Sequence, residues 1–425
     1  RARGYVKRMV DAVKKLDDRP VYFGSRMLTG DVCSDQVEIA ALNLRTENVS
    51  SFKNSILKWK KEHPAQLVLV LSYGKGVEQN NRNGWSDPMS QEAQARFFER
   101  FYTAVKEANI GGSFIDAFAD WRGDRPLLAV NGGNPYVHPV GLVSSAREKR
   151  AAYEMVRTLY NSEKITALPI GRYRASFPIA HIVWGFIVIF VMAYLYHYNR
   201  RFNETFKRAL IRSYNFYADL RDLRSVSIPQ TAIVALAVSV TLGVVLSGIL
   251  YRYRTDTFAD YVLTQIIVWD VLKERLIAAA WNPFEGIIAF SIVLLAWYPL
   301  TAALIKLFSM FLKRRVYWYH AFAVAVWGSL PLVLLSPLGM ALFKLLQSDF
   351  YVLPTFIIVL AFLLWAFFRV LKGASVIYDI SRTKAYAGGI AVTLIAAAGL
   401  LIYYESTYAI TAYVQMIIHM ARSLG

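Results

Sequence analysis

Cysteine is almost absent: Cys33 is the only one in 425 residues, which rules out an intrachain disulfide and any zinc cluster built on cysteines. Histidine is scarce too, and His63 and His138 have no neighbour at ligand spacing, so neither a metal nor a cofactor is expected. The Gly-x-Ser-x-Gly turn that presents a hydrolase serine is missing. Acidic residues are few, 30 against 48 Lys and Arg, for a formal charge of +18. That excess suggests nucleic acid only until its placement is considered. Arg200, Arg201, Lys207, Arg208, Arg212, Arg221 and Arg224 crowd one loop between apolar runs, and Lys313, Arg314 and Arg315 another. Basic loops beside apolar runs are a membrane-topology signal, and no nucleic-acid partner is expected. Charge is also scarce inside those runs. Lys306, Lys344 and Arg369 fall near run ends, where long side chains snorkel, and the lack of a midplane charge argues against an ion-coupled transporter.

What is present divides into two unlike halves. Up to about Ser176 the chain is polar and mixed, whereas beyond it apolar runs of membrane-spanning length recur. In the first half, helix-spaced apolar residues from Gly4 to Leu16 are followed by predicted strands at Val21–Phe23, Glu38–Leu44, Leu67–Leu71 and Gly112–Phe118. Helices are predicted between them at Ser51–Glu62 and Gln91–Glu107. Strands alternating with helices imply a parallel sheet, in an α/β fold that is half of an eight-stranded barrel or a small doubly wound sheet. Barrel chemistry lies at the carboxyl ends of strands, so the loops opening at Ser25, Asn43, Ser72 and Asp116 are the candidate functional ones.

The segment GLVSSAREKRAAYEMVRTLYN, Gly141 to Asn161, resembles the closing segment of the catalytic barrel of glycoside hydrolase family 2, the β-galactosidases and β-glucuronidases. GGSFIDAFADW (Gly111 to Trp121) is similar to that family's eighth strand, and DDRPVYFGS (Asp17 to Ser25) to the approach to its fifth. The resemblance covers residues 4–161 and implies strands five to eight of a TIM-type barrel. It also gives the stretch LVLVLSYG a meaning. The family's seventh strand ends in Thr-Glu-Tyr/Phe-Gly, with the Glu as nucleophile, and here Ser72 stands in its place. Retaining hydrolysis needs two carboxyls roughly 5–5.5 Å apart, and a serine without a base cannot replace one. The resemblance puts the acid/base Glu on a fourth strand, before Arg1, and Leu44-Arg45 where a supporting tyrosine is expected. Glu78, Asp116 and Asp120 are the nearby acids with any claim to a catalytic role, and Asn43, Tyr73, Trp85 and Trp121 the residues with a claim to bind sugar. Four β/α units leave two open sheet edges, so residues 1–170 are not expected to be stable alone.

Spans are predicted at 179–198, 231–251, 286–307, 321–343, 351–368 and 386–404, with interfacial helices at Phe258–Ala280 and Thr407–His419. The basic loops place both termini outside the cytoplasm. The last five spans, introduced by YNFYADLRDLRSVSIPQTAIVAL and carrying Trp297-Tyr298-Pro299 and LPLVLLSPLG, resemble a Yip-type membrane domain, which implies membrane organisation and no chemistry.

The organisation expected is a glycosidase-like half barrel (1–165), a linker (166–178) and an all-α polytopic membrane domain (179–425). The chain, which starts Arg1-Ala2-Arg3, is expected to be a fragment of a bacterial inner-membrane envelope protein. Its expected role is carbohydrate recognition or processing outside the cytoplasm, with catalysis degenerate or truncated and the lipid bilayer and a glycoside or polysaccharide as partners. The alternatives are a permease or export component with a carbohydrate-recognising outer domain, and an active β-glycosidase whose acid/base residue lies upstream.

Overall fold

The computed structural model describes residues 2–25, 33–43, 48–130, 133–173, 178–223, 226–312, 316–415 and 418. Leu44, Arg45, Arg224, Lys313 to Arg315 and part of the helix expected at Thr407–His419 lie outside the described residues. The chain divides into two compact units, one of Arg1–Ser176 together with Val414–Gly425 and the other Phe177–Tyr413.

The first unit comprises α1 (Ala2–Lys14), β1 (Tyr22–Ser25), β2 (Ile39–Asn43), α2 (Val49–Glu62), β3 (Leu67–Tyr73), α3 (Gln91–Glu107) and β4 (Gly112–Ile115). A short hairpin of β5 (Trp121–Arg122) and β6 (Val137–His138) and then α4 (Ala151–Tyr160) complete it. Strands β1 to β4 are parallel and lie side by side in chain order, with α2 and α3 as crossovers. The two helices start where side chains satisfy orphan N–H groups: Asn48 accepts from Ser51 at 3.1 Å, and Ser90 from Ala93 at 3.0 Å. In α3, Phe97, Phe98, Phe101 and Ala104 recur every three or four residues and are buried. They pack with Phe52 and Ile56 of α2 on one face of the sheet, formed by Ala40, Leu42, Val68 and Val70. Burying one such phenylalanine contributes roughly 1.5–3 kcal/mol. The opposite face is only partly covered: Ala41 is buried, but Tyr22, Leu67 and Phe114 are 54%, 48% and 59% exposed. The sheet is open, edged by β1 and β4, rather than a closed barrel.

Within the segment expected to be a linker, residues 169–173 are hydrogen-bonded to the loop at Trp85–Ser86. Trp85 and Ser86 donate backbone N–H bonds to the carbonyls of Pro169 and Ile170 at 3.0 and 2.9 Å, and Tyr173 N–H donates to Ser86 Oγ at 3.2 Å. Gly84 (φ +85°) and Gly171 (φ +74°) meet there backbone to backbone, and a Cβ on Gly171 would lie 1.7 Å from the Asn83 carbonyl oxygen. Only glycine tolerates both that φ and that approach.

The second unit is all helical: α5 (Ile179–Tyr198), α6 (Arg200–Ile211), α7 (Ser213–Arg221), α8 (Ile228–Tyr253), α9 (Thr257–Ile266) and α10 (Asp270–Trp281). It continues with α11 (Pro283–Ser309), α12 (Trp318–Gly328), α13 (Ser336–Leu345), α14 (Asp349–Tyr378) and α15 (Arg382–Tyr408). Six segments are long and apolar enough to cross a membrane, namely α5, α8, α11, the α12–α13 pair, α14 and α15, the number and order read from the sequence. Helix α8 is at the centre, because its small residues admit close neighbours. A Cβ on Gly243 would lie 2.9 Å from the Ile287 carbonyl oxygen of α11, and one on Gly339 of α13 would lie 3.0 Å from Val244.

Three expectations are corrected. The fourth segment is not continuous: a 3₁₀ turn, Leu330–Leu335, separates α12 from α13, with Pro331 and Pro337 in opening turns where a missing N–H breaks no helical bond. The single helix expected at Phe258–Ala280 is two, α9 and α10, joined by buried Lys273, which donates to Thr264 Oγ1 at 2.6 Å and pairs with Asp260 at 2.8 Å. Arg369 does not snorkel. Helix α14 runs on to Tyr378, and the guanidinium, 6% exposed, donates to the carbonyls of Leu210 (3.0 Å), Gly328 (3.3 Å) and Ala209. It thereby caps the last turn of α6, where carbonyls have no helical partner.

Hydrogen bonds also gather the loops that flank the basic clusters at one end of this bundle. Tyr319 donates to the Val226 carbonyl, Tyr378 to that of Ile305 at 2.5 Å, and Arg221 pairs with Asp379 at 3.6 Å.

Candidate functional site

The candidate site is built on the carboxyl ends of β2, β3 and β4. In β3 the residues facing the helices are Val68 and Val70 and then Tyr73, because an irregularity between Val70 and Tyr73 shifts the alternation by one residue. A matching shift between Leu42 and Asn43 brings Asn43 opposite Ser72. The strand thus runs two residues past the expected Leu71, and Ser72 lies within it. The Ser72 hydroxyl donates to Asp116 Oδ2 at 3.1 Å, and the Asp116 N–H donates to the Tyr73 carbonyl at 2.9 Å. Gly74 permits this closure, since a Cβ there would sit 2.2 Å from the Asp116 carbonyl oxygen. The Asp116–Ala117 peptide is cis. Asn43, Ser72 and Asp116, read separately from the sequence, are therefore brought together.

The other named residues go elsewhere. Tyr73, expected to face a sugar, is 2% exposed and stacked on Phe101 at 3.9 Å in the sheet–helix core, where burial pushes its phenol well above the usual range. Glu78 accepts from Asn81 Nδ2 at 3.1 Å, and the same amide group donates to Asp87 at 2.9 Å, so Glu78 helps to order its own loop. Asp120 is locked by Arg150 through two hydrogen bonds of 2.7 and 2.6 Å, with both side chains about 5% exposed or less. Trp85 has Arg96 stacked over its ring at 3.5 Å. Trp121 lies 3.8 Å from His138 and nearly parallel to it on the β5–β6 hairpin, and remains 44% exposed. The loop after β4 that carries Asp116 also carries Phe118, 58% exposed, and leads into Trp121 of β5.

Sequence reasoning missed Arg150, whose only hint is its position: it is the N-cap of α4, where arginine is a poor cap and must be held by something else. Chemically, Asn43, Ser72 and Asp116 offer amide, hydroxyl and carboxylate groups at one rim, suited to the hydroxyls of a polar ligand. A serine nucleophile needs an adjacent base such as histidine, and a retaining glycosidase needs paired carboxyls. The Ser72–Asp116 contact supplies neither arrangement.

Neither a family model nor a curated protein matches the chain. Among solved structures it is similar to a family 2 β-galacturonidase from Eisenbergiella tayi bound to galacturonate, at 23% identity over 38% of this chain and 31% of that one, with a TM-score of 0.33. A β-glucuronidase from an uncultured Clostridium is similar at 22% identity (38% and 30% covered, TM-score 0.32), and one from Faecalibacterium prausnitzii at 17% (39% and 29%, TM-score 0.32). The match spans about a third of the length of these enzymes. Likeness at this level carries no argument about chemistry.

Proposed function

We propose that this is a membrane-anchored, glycoside-hydrolase-like protein that recognises carbohydrate outside the cytoplasm and does not hydrolyse it. The observation that carries this reading is Ser72: the residue at the position of a family nucleophile is a hydroxyl hydrogen-bonded to Asp116, beside Asn43, with Asp120 committed to Arg150. The side-by-side, in-order parallel strands support reading the sheet as strands five to eight of a TIM-type barrel, since a doubly wound sheet reverses its order at a switch point. Residues 1–165 then form the recognition domain, the strap near 169–173 holds the start of the linker, and 179–425 form the membrane domain, whose last five spans are Yip-like. The gathering of the basic loops at one end supports a single cytoplasmic face, with both termini on the other side. Arg369, spent on three carbonyls, gives a permease reading no group to couple to transport.

The test is turnover and binding by the full chain in detergent. Aryl β-galactosides, β-glucuronides and β-mannosides should not be cleaved, while one glycoside class should bind, and Asp116→Ala should weaken that binding about tenfold, the effect of one hydrogen bond to a charged group. Cleavage above a detergent blank, abolished by Ser72→Ala or Asp116→Ala, refutes the non-hydrolytic reading.

A further inference from the structure

At the basic end of the bundle the acids are already engaged: Asp219 with Arg208 at 2.8 Å, and Asp222 and Asp379 with Arg221 at 3.0 and 3.6 Å. Two further cations, Lys372 and Arg382, reach the start of α7, which Arg212 precedes as its N-cap residue. Lys372 Nζ donates to the Ser213 hydroxyl at 2.9 Å, Arg382 lies over the Tyr214 ring with its guanidinium 5.8 Å from the centroid, and Arg212 immediately precedes Ser213. Both Arg369 and Arg382 are close enough to Lys372 to repel its charge. Among the described residues, Arg212, Lys372 and Arg382 contact no carboxylate.

Like charges gathered this way repel one another unless an anion lies between them. The α14–α15 turn follows the end of an apolar segment, and Lys372 of α14 holds the start of α7 to it, so the cluster lies at headgroup depth if those segments span a bilayer, the one part of the proposed function on which this inference rests. From these contacts the geometry points to a phosphate-binding site for an anionic phospholipid headgroup, formed by Arg212, Ser213, Lys372 and Arg382. Ser213 offers a hydroxyl, Lys372 a compact ammonium already turned toward it, and the exposed arginines forks that match phosphate oxygens. The remaining basic side chains of the α6 surface supply only diffuse attraction, about 1 kcal/mol each near an anionic surface.

The experiment uses the full chain, first shown by carbonate extraction to be integral to membranes, then delipidated and titrated with phosphatidylglycerol or phosphatidylcholine while native mass spectrometry follows bound lipid. The wild type should bind phosphatidylglycerol about tenfold more tightly, and Arg212→Ala/Arg382→Ala, both at exposed positions, should abolish that preference with the melting temperature in phosphatidylcholine unchanged. Arg201→Ala/Lys207→Ala should keep it within about twofold. Lack of preference in the wild type, or an equal loss in the second double variant, overturns the site in favour of none or of a diffuse surface. Inorganic phosphate that displaces phosphatidylglycerol at millimolar concentration reassigns the site to free phosphate and overturns the headgroup. Release by carbonate refutes the membrane reading itself, a separate result.

Discussion

Arg150 and Arg369 are both more than nine-tenths buried, one in each unit, yet they are satisfied by different means. Arg150 meets a carboxylate, in a two-bonded pair with Asp120 that leaves no net charge. Arg369 meets carbonyls, including those of the last turn of α6, where the helix dipole is negative. The difference teaches what each arginine is for. The first closes the β4 loop onto the start of α4 mainly by matching a side chain, with one further bond to the Gly141 carbonyl at 2.8 Å, so most of its pairing can be exchanged. The second fixes a helix terminus by matching backbone, and backbone cannot be substituted away.

That contrast sets the order of expected effects. Asp120→Asn leaves the Arg150 charge buried and unpaired, and should cost about 3–5 kcal/mol, seen as the largest fall in melting temperature of the full chain. The double variant Asp120→Leu/Arg150→Met should recover part of that loss, the remainder being the Gly141 N–H and carbonyl that lose their partners, and a double variant no more stable than Asp120→Asn would break the claim that the pair is exchangeable. Arg369→Met strands no charge and leaves carbonyls without a donor, at about 1–3 kcal/mol for each one that water does not reach, and Arg369→Lys should fall between it and the wild type. A fully tolerated Arg369→Met would mean that α6 is held by apolar packing of Phe202 and Ala209 alone. Tyr73 sharpens the comparison from the other side, as a buried group with no countercharge waiting for it. Its phenol is held above its unfolded value, so its stabilisation is complete below about pH 10 and is lost as the pH rises further. Tyr73→Phe should therefore flatten the alkaline limb of the stability profile, the smallest of the three effects, and an unchanged limb would show that some other group titrates there.

The helix pattern was legible because it is local. Gln91–Glu107 was read to the residue, since a serine cap and a run of aromatic residues at helical spacing are signals within a few turns, and six apolar segments were read from length and composition alone. The alternation of β3 was also legible as far as Val70. Beyond it the reading failed, because an irregularity in strand pairing depends on β2 and β4, which are distant in sequence. That one-residue shift sent Tyr73 into the core and left Ser72 to meet Asp116. The contact of Gly84 with Gly171 was illegible for a similar reason, since it joins two loops that carry no hint of each other.

By itself, then, the sequence determined the division into an α/β unit and a run of apolar helices, and where the excess positive charge lies along the chain. Both follow from composition and short-range periodicity. Only the tertiary structure decided which acid Ser72 touches, that Asp120 belongs to Arg150, that Arg369 turns inward to cap α6, and that Lys372 reaches the Ser213 hydroxyl while Arg382 lies over Tyr214. The physical reason is that a charge or a hydroxyl has no fixed partner along the chain: its partner is whichever group the packing of distant elements leaves within about 3 Å.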